Sequence, residues 1–235
     1  MTAIISIKDL CFKYPDGHPA LDGINLSINP GESIGIIGPN GAGKSTLLLH
    51  LNGTLRPTAG SITVSGMPVD DRNVRTIRQK VGMVFQDPDD QLFMPTVSED
   101  IAFGLLNLGL SKDEVRQKTG AILKRFGMSG FANKMPHHLS LGEKKKIALA
   151  GILVLEPEII VFDEPTANLD PRSRREFIGL LSELNQTRII ASHNLEMIAR
   201  VTQRAVVVNK GKITADGPAK DVIANTALLE SNELV

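Results

Sequence analysis

The chain has 235 residues, of which 42% are hydrophobic and 22% charged, enough to bury roughly 70% of the unfolded surface in one globular domain. Lys plus Arg and Asp plus Glu both number 26, so no basic excess exists to attract a nucleic-acid backbone or an anionic lipid surface. Cys11 has no partner for an internal disulfide, no export pattern opens the sequence, and the longest apolar run, 147–155, falls far short of the roughly 20 residues a spanning helix needs. A reducing cytosol is expected, with any membrane link made through another protein and Cys11 an inert core thiol between Leu10 and Phe12.

Segments 4–12 and 21–28 read as strands around the turn Pro15-Asp16-Gly17, the second closed by Asn29-Pro30-Gly31. Ser33–Ile37 is a short apolar strand leading into a glycine loop at 38–46, and the helical stretch from Lys44 stops at Asn52-Gly53. Segments 61–64 and 81–85 continue the strand pattern, with a helix over 72–80 between them. From 87 to 155 helical periods take over. Ser111 with Glu114 has capping-box spacing ahead of Val115, Ile122, Leu123 and Phe126 on one face, and Ser140 with Glu143 repeats it ahead of Ile147, Ala148, Gly151, Ile152 and Leu155. Strand 159–162, a helix after Asp170-Pro171, strand 188–191, helix 196–201 and strand 205–208, turned through Lys210-Gly211 to Ile213, restore the α/β alternation. The expectation is a single domain, 1–235, with an inserted helical lobe at about 87–155 and a loosely held tail at 226–235.

Two motifs carry chemistry. Gly38-Pro39-Asn40-Gly41-Ala42-Gly43-Lys44-Ser45, continued by Thr46, fits Gly, four residues, Gly, Lys, Ser or Thr, between a strand and a helix. Its glycines let backbone N–H groups converge on phosphate oxygens at a helix N-terminus; Lys44 then reaches the β/γ-phosphates of ATP and Ser45 binds Mg²⁺. The bland alternative is a turn that merely needs glycine. Asp163 and Glu164 follow four apolar residues and so end a buried strand; Asp163 suits the Mg²⁺ shell, through a water, and Glu164 would point at the γ-phosphate as general base for the attacking water. Two acids can also simply finish a strand at the surface. Together the motifs specify a P-loop NTPase and no narrower class.

Leu139-Ser140-Leu141-Gly142-Glu143 resembles the LSGGQ signature of ABC ATPases, although a serine before a helix is equally an ordinary cap. The resemblance extends in order over nearly the whole chain: Gln86 matches the Q-loop glutamine, Asn168-Leu169-Asp170 the D-loop, His193 the switch histidine, and Tyr14 the aromatic that stacks on adenine, for which a core or turn tyrosine is the rival. It implies an α/β fold with a P-loop core of mostly parallel sheet, an N-terminal antiparallel β subdomain and the helical lobe. It also implies that Ser140, Gly142 and Glu143 cap the γ-phosphate held by a second ATPase subunit, the same chain or a sister, with Gln86 joining Ser45 and Asp163 near Mg²⁺. Leu141 and Glu143 depart from the consensus glycine and glutamine, which puts the grip of that dimer in question; Leu141 must point away from the nucleotide.

The stretch Val84-Phe85-Gln86-Asp87-Pro88-Asp89-Asp90-Gln91-Leu92-Phe93, with Thr96-Val97 and Asp100-Ile101-Ala102-Phe103-Gly104 after it and Phe12-Lys13-Tyr14-Pro15-Asp16-Gly17 before, is similar to the cobalt/nickel importer and energy-coupling-factor subfamily. That resemblance implies a peripheral protein on the cytoplasmic face of the cell membrane, working with a transmembrane coupling protein and a substrate-binding membrane subunit. The acids Asp87, Asp89, Asp90, Glu99 and Asp100 would complement basic coupling helices, or form a solvated acidic loop. An ABC ATPase acting on nucleic acid or ribosomes is the rival class; neither long coiled coils nor tandem ATPase domains are present to favour it.

Overall fold

The computed structural model describes residues 2–234. Four strands, β1 (Ile5–Lys13), β2 (Pro19–Ile28), β4 (Ala59–Val64) and β5 (Met67–Pro68), form an antiparallel sheet in the order β2-β1-β4-β5. Six others, β3 (Ser33–Ile37), β6 (Val81–Val84), β7 (Ile159–Asp163), β8 (Thr187–Ala191), β9 (Arg204–Asn209) and β10 (Lys212–Pro218), form a sheet in the order β10-β9-β3-β8-β7-β6, parallel throughout except for the β9–β10 hairpin.

The parallel strands are apolar on both faces because both faces are covered. Ile34, Ile36, Ile159, Val161 and Val206 pack with the antiparallel sheet and with helix α1 (Lys44–Leu51). The alternate residues Ile37, Ile160, Phe162, Ile190 and Val207 pack with the helices on the other side. Period-two alternation thus splits one continuous apolar run between two cores.

Helix α2 (Val74–Lys80) begins two residues later than the sequence pattern indicates, because the Asp70 side chain accepts the N–H groups of Arg72 and Asn73 and holds them in a turn. Between β6 and β7 the described chain is helical: α3 (Val97–Asn107), α4 (Lys112–Arg125) and α5 (Leu141–Leu153) follow one another, with one 3-10 turn ahead of α3 and two between α4 and α5. Each has a complete capping box, Thr96 with Glu99, Ser111 with Glu114 and Ser140 with Glu143. Helices α6 (Pro171–Ser182) and α7 (Leu195–Val201) return the chain to the sheet.

Two expectations need correction. Cys11 is only half-buried, since strand parity turns Leu10 and Phe12 inward and leaves its Sγ to accept the Gly23 N–H at 3.2 Å. The segment from 226 is not loose within the described residues: after α8 (Ala219–Ala224) comes α9 (Thr226–Ser231), with Leu229 buried and the buried Asn232 accepting the Thr214 hydroxyl at 2.7 Å. Val235 lies outside the described residues.

Candidate nucleotide site

Four parallel strands deliver the candidate residues to one edge of the sheet, the carboxyl end where ligands gather in open α/β folds. The glycine loop leaves β3, Gln86 follows β6, Asp163 ends β7, and Ser192 and His193 follow β8. The loop's shape depends on its glycines at two places. A Cβ on Gly38 would lie 2.1 Å from the Val208 carbonyl oxygen, and Gly43 combines φ 103° with a Cβ position 2.5 Å from the Ala20 carbonyl oxygen. Only glycine lets the loop lie this close to β9 and β2.

A cleft of about 300 Å³ opens there, lined by Tyr14, Asn40, Gly41, Ala42, Gly43, Lys44, Ser45, Thr46, Gln86, Asp163 and Glu164, with His18 and Ala20 in addition. Gly38 and Pro39 contribute through their carbonyl groups, which accept from the buried Lys44 Nζ at 2.7 and 2.9 Å. Burial pulls the Lys44 amine below its ordinary value, against the raising effect of Glu164 and Asp163. Tyr14 stands edge-on to Phe12 and shares a 2.9 Å hydrogen bond with Thr46 Oγ1, which fixes the ring at the mouth of the cleft.

Asp163 is buried, its Oδ1 has no hydrogen-bond partner, and Ser45 lines the same cleft beside it. Desolvation raises its pKa, with the Glu164 charge adding to that and Ser45 opposing it. Glu164 differs from expectation. Its backbone takes φ 42°, and its carboxylate turns to Ser192 and His193: Oε2 accepts the Ser192 hydroxyl at 2.8 Å, and Oε1 accepts both the His193 N–H at 2.9 Å and Nδ1 at 2.7 Å. The carboxylate therefore sits in the cleft wall already committed to three donors.

Ser140, Gly142, Glu143 and Asp170 do not line this cleft. Glu143 closes back on Ser140, accepting its N–H and hydroxyl at 2.8 Å each, and those bonds hold the Glu143 carboxyl below its usual range. Gly142 is buried at the first turn of α5, where a Cβ would meet Ser173 Oγ at 2.7 Å, and Leu141 packs onto the core. Asp170 caps α6 by accepting the N–H groups of Arg172 and Ser173.

The acidic stretch also reads differently in three dimensions. Asp87 caps a 3-10 turn, Asp89 pairs with Lys144 at 2.7 Å, Glu99 serves the cap of α3, and Asp100 accepts the N–H groups of Phe93 and Met94. Four of the five acids thus have a local partner, a lysine for Asp89 and backbone N–H groups for Asp87, Glu99 and Asp100. What the surface offers instead is apolar: Phe93 is 64% exposed and Leu106 51%, and Phe93 meets the exposed Phe103 edge-on at 5.0 Å beside a groove that runs to Leu155 on the α5 side.

Sequence reasoning passed over His18, Ser192 and Lys145. His18 and Ser192 belong to no motif weighed above, and Lys145 stood within a run of three lysines that reads as a solvated face, yet it is fully buried.

A phosphate-sized loop, a buried lysine and two carboxylates at the edge of a parallel sheet define an ATP-handling α/β core. The sequence model of the ABC transporter family matches residues 21–167. An energy-coupling factor transporter ATP-binding protein, EcfA, of Methanothermobacter thermautotrophicus is 50% identical over 237 residues, covering 98% of this chain and 76% of that protein. A putative ABC transporter ATP-binding protein of Geobacter sulfurreducens is 49% identical over 231 residues, covering 98% and 93%. Among solved structures, CbiO1 of Clostridium perfringens, described as part of the ABC transporter complex CbiONQ, superposes with a TM-score of 0.86 at 38% identity, covering 100% of this chain and 96% of that one. An ATP-binding cassette solved as a dimer in a post-hydrolysis state with ADP and Pi gives 0.82 at 28% identity, covering 92% and 98%. The chain belongs to the ABC transporter family, as an ATP-hydrolysing subunit of the energy-coupling-factor type. Among the described residues no helix is long and apolar enough to cross a membrane.

Proposed function

We propose that this subunit powers import of a transition-metal ion, cobalt or nickel, through a membrane coupling complex, by closing a dimer around ATP and reopening it on hydrolysis. The observation that carries the nucleotide part is the partnerless, buried Oδ1 of Asp163 beside Ser45 and Lys44. An orphaned carboxylate oxygen next to a serine hydroxyl fits a hard divalent cation, which takes oxygen donors. Ser45, Gln86 and Asp163 would hold Mg²⁺, Asp163 through a water; when bound, the ion neutralises charge on the phosphates. Loop N–H groups of 38–46 and the Lys44 ammonium bind the phosphates, which requires Lys44 to leave the carbonyls of Gly38 and Pro39. Tyr14 receives the adenine. Glu164 orients and deprotonates the attacking water with a carboxylate that the Ser192 hydroxyl and His193 hold in the cleft wall.

Ser140, Gly142, Glu143 and Asp170 lie off their own chain's cleft, which supports their use across a dimer with the same chain or a sister ATPase. The apolar groove beside Phe93 and Phe103 is where the transmembrane coupling protein docks in this reading, so contact there is made by shape and apolar burial more than by charge. The subunit then sits at the cytoplasmic face of the membrane, with the cargo bound on a membrane subunit and no nucleic acid involved.

Metal import is favoured by the sequence stretches noted above and by the likeness to CbiO1. The 50% identity to EcfA supports a second reading, a vitamin-type energy-coupling ATPase. Reconstitution with the neighbouring membrane subunits in vesicles loaded with ATP separates the two: uptake of labelled cobalt or nickel bears out the first, whereas uptake of a vitamin alone replaces it with the second.

A further inference from the structure

Lys145 sits on α5 two positions beyond Glu143 and is 2% exposed. Its Nζ donates to the carbonyl oxygens of Glu164 at 3.3 Å and Pro165 at 3.0 Å. The charged groups acting on it are Asp87, in the loop after β6, and Glu164; both raise its pKa, and burial outweighs them to leave the amine at about 8. A buried cation is expensive, and an apolar side chain of similar length would fill the same space without that cost. The charge therefore has a use, and its contacts locate that use at one peptide segment.

That segment is unusual. Glu164 has φ 42°, a left-handed conformation that a side chain with a Cβ rarely adopts. It is held from two directions: its N–H donates to the Ala191 carbonyl on β8 at 2.9 Å, and its own carbonyl accepts from Lys145 on α5. A backbone turned this way sets the direction in which the Glu164 carboxylate leaves the chain. The helix that supplies Lys145 starts at Ser140, so the loop Ser140–Glu143 and the Glu164 backbone are joined by one helical turn and one ammonium group.

We propose that Lys145 is a positioning residue for ATP hydrolysis, tying the start of α5 to the backbone of Glu164 so that displacement of the Ser140–Glu143 loop re-aims the Glu164 carboxylate. The proposal rests on Glu164 as the group that activates water.

Steady-state ATP hydrolysis by the full chain in its transporter complex, across pH, tests both statements with four proteins: wild type, Lys145→Met, Lys145→Arg and Glu164→Gln. Lys145→Met is expected to lower kcat about tenfold or more while KM for ATP stays within about twofold, the split for an interaction made in the transition state. Lys145→Arg restores the donors and recovers most of the rate. Its guanidinium stays charged, so it also loses the decline that wild type shows as pH rises through about 8. Two outcomes overturn the proposal: an unchanged kcat in Lys145→Met, or a folded Lys145→Arg, by thermal melt, no faster than Lys145→Met. Full turnover by Glu164→Gln would instead remove the assignment of the base, whatever the lysine variants do.

Discussion

His193 and Glu164, 29 residues apart in sequence, are joined twice: Nδ1 lies 2.7 Å from Oε1, and the His193 N–H donates to the same oxygen at 2.9 Å. The histidine ring is 64% exposed while the carboxylate is nearly buried, so the ring forms the outer lid over the acid. His193→Ala keeps the backbone bond and removes the ring. Hydrolysis should then fall by about 10- to 100-fold, as for loss of one group that orients a base, with ATP affinity changed less than about threefold. Steady-state kinetics together with nucleotide titration measure both; a variant that binds ATP poorly yet turns over normally would contradict the pairing.

Asp163 supplies a pH dependence. Desolvation, the largest cause, raises its pKa, so the folded protein takes up this proton at higher pH than an ordinary aspartate does. The protonated form favours the native state, and ionisation as pH rises through the raised value costs stability until a cation compensates it. Mg-ATP should accordingly raise the melting temperature more at about pH 7.5 than at about pH 5. Asp163→Asn should lose most of the Mg²⁺-dependent part of that rise at both values. Equal shifts in wild type and variant would remove Asp163 from the cation site.

The C-terminal segment is expected to stabilise the fold. Removing residues 226–235 exposes the pocket of Leu229 and leaves Thr214 without its Asn232 partner. Burial of one leucine and one such hydrogen bond is worth about 2–4 kcal/mol. The truncated chain should therefore melt about 5–10 °C lower. An unchanged melt would restore the loose tail read from the sequence.

The parts of this architecture that are local in sequence were legible there. The glycine loop between β3 and α1 is spelled by residues that backbone geometry requires, such as Gly38 beneath Val208, and the inner strands by apolar runs of the right length. Non-local use was hidden. Lys145 reads as one of three surface lysines until β7 brings Pro165 to its amine, and Asn232 reads as tail until β10 brings Thr214. The acids around Asp89 and Asp100 read as a charged face because their partners, Lys144 and the N–H groups of Phe93 and Met94, are settled by folding rather than by composition. Thr96 and Glu99 have the same capping-box spacing as the other two lobe helices, so the start of α3 is written in the sequence as plainly as theirs.

The central claim is that Glu164 activates the water that attacks ATP held in the cleft of 38–46. Replacing it with glutamine preserves the volume and the hydrogen bonds it accepts through one oxygen, but removes the base. Single-turnover hydrolysis measured with nucleotide binding and oligomeric state on Glu164→Gln tests this most directly. The account predicts ATP bound at close to wild-type affinity, a dimer that persists with ATP, and a rate lowered by about 100-fold or more; hydrolysis at the wild-type rate would contradict it.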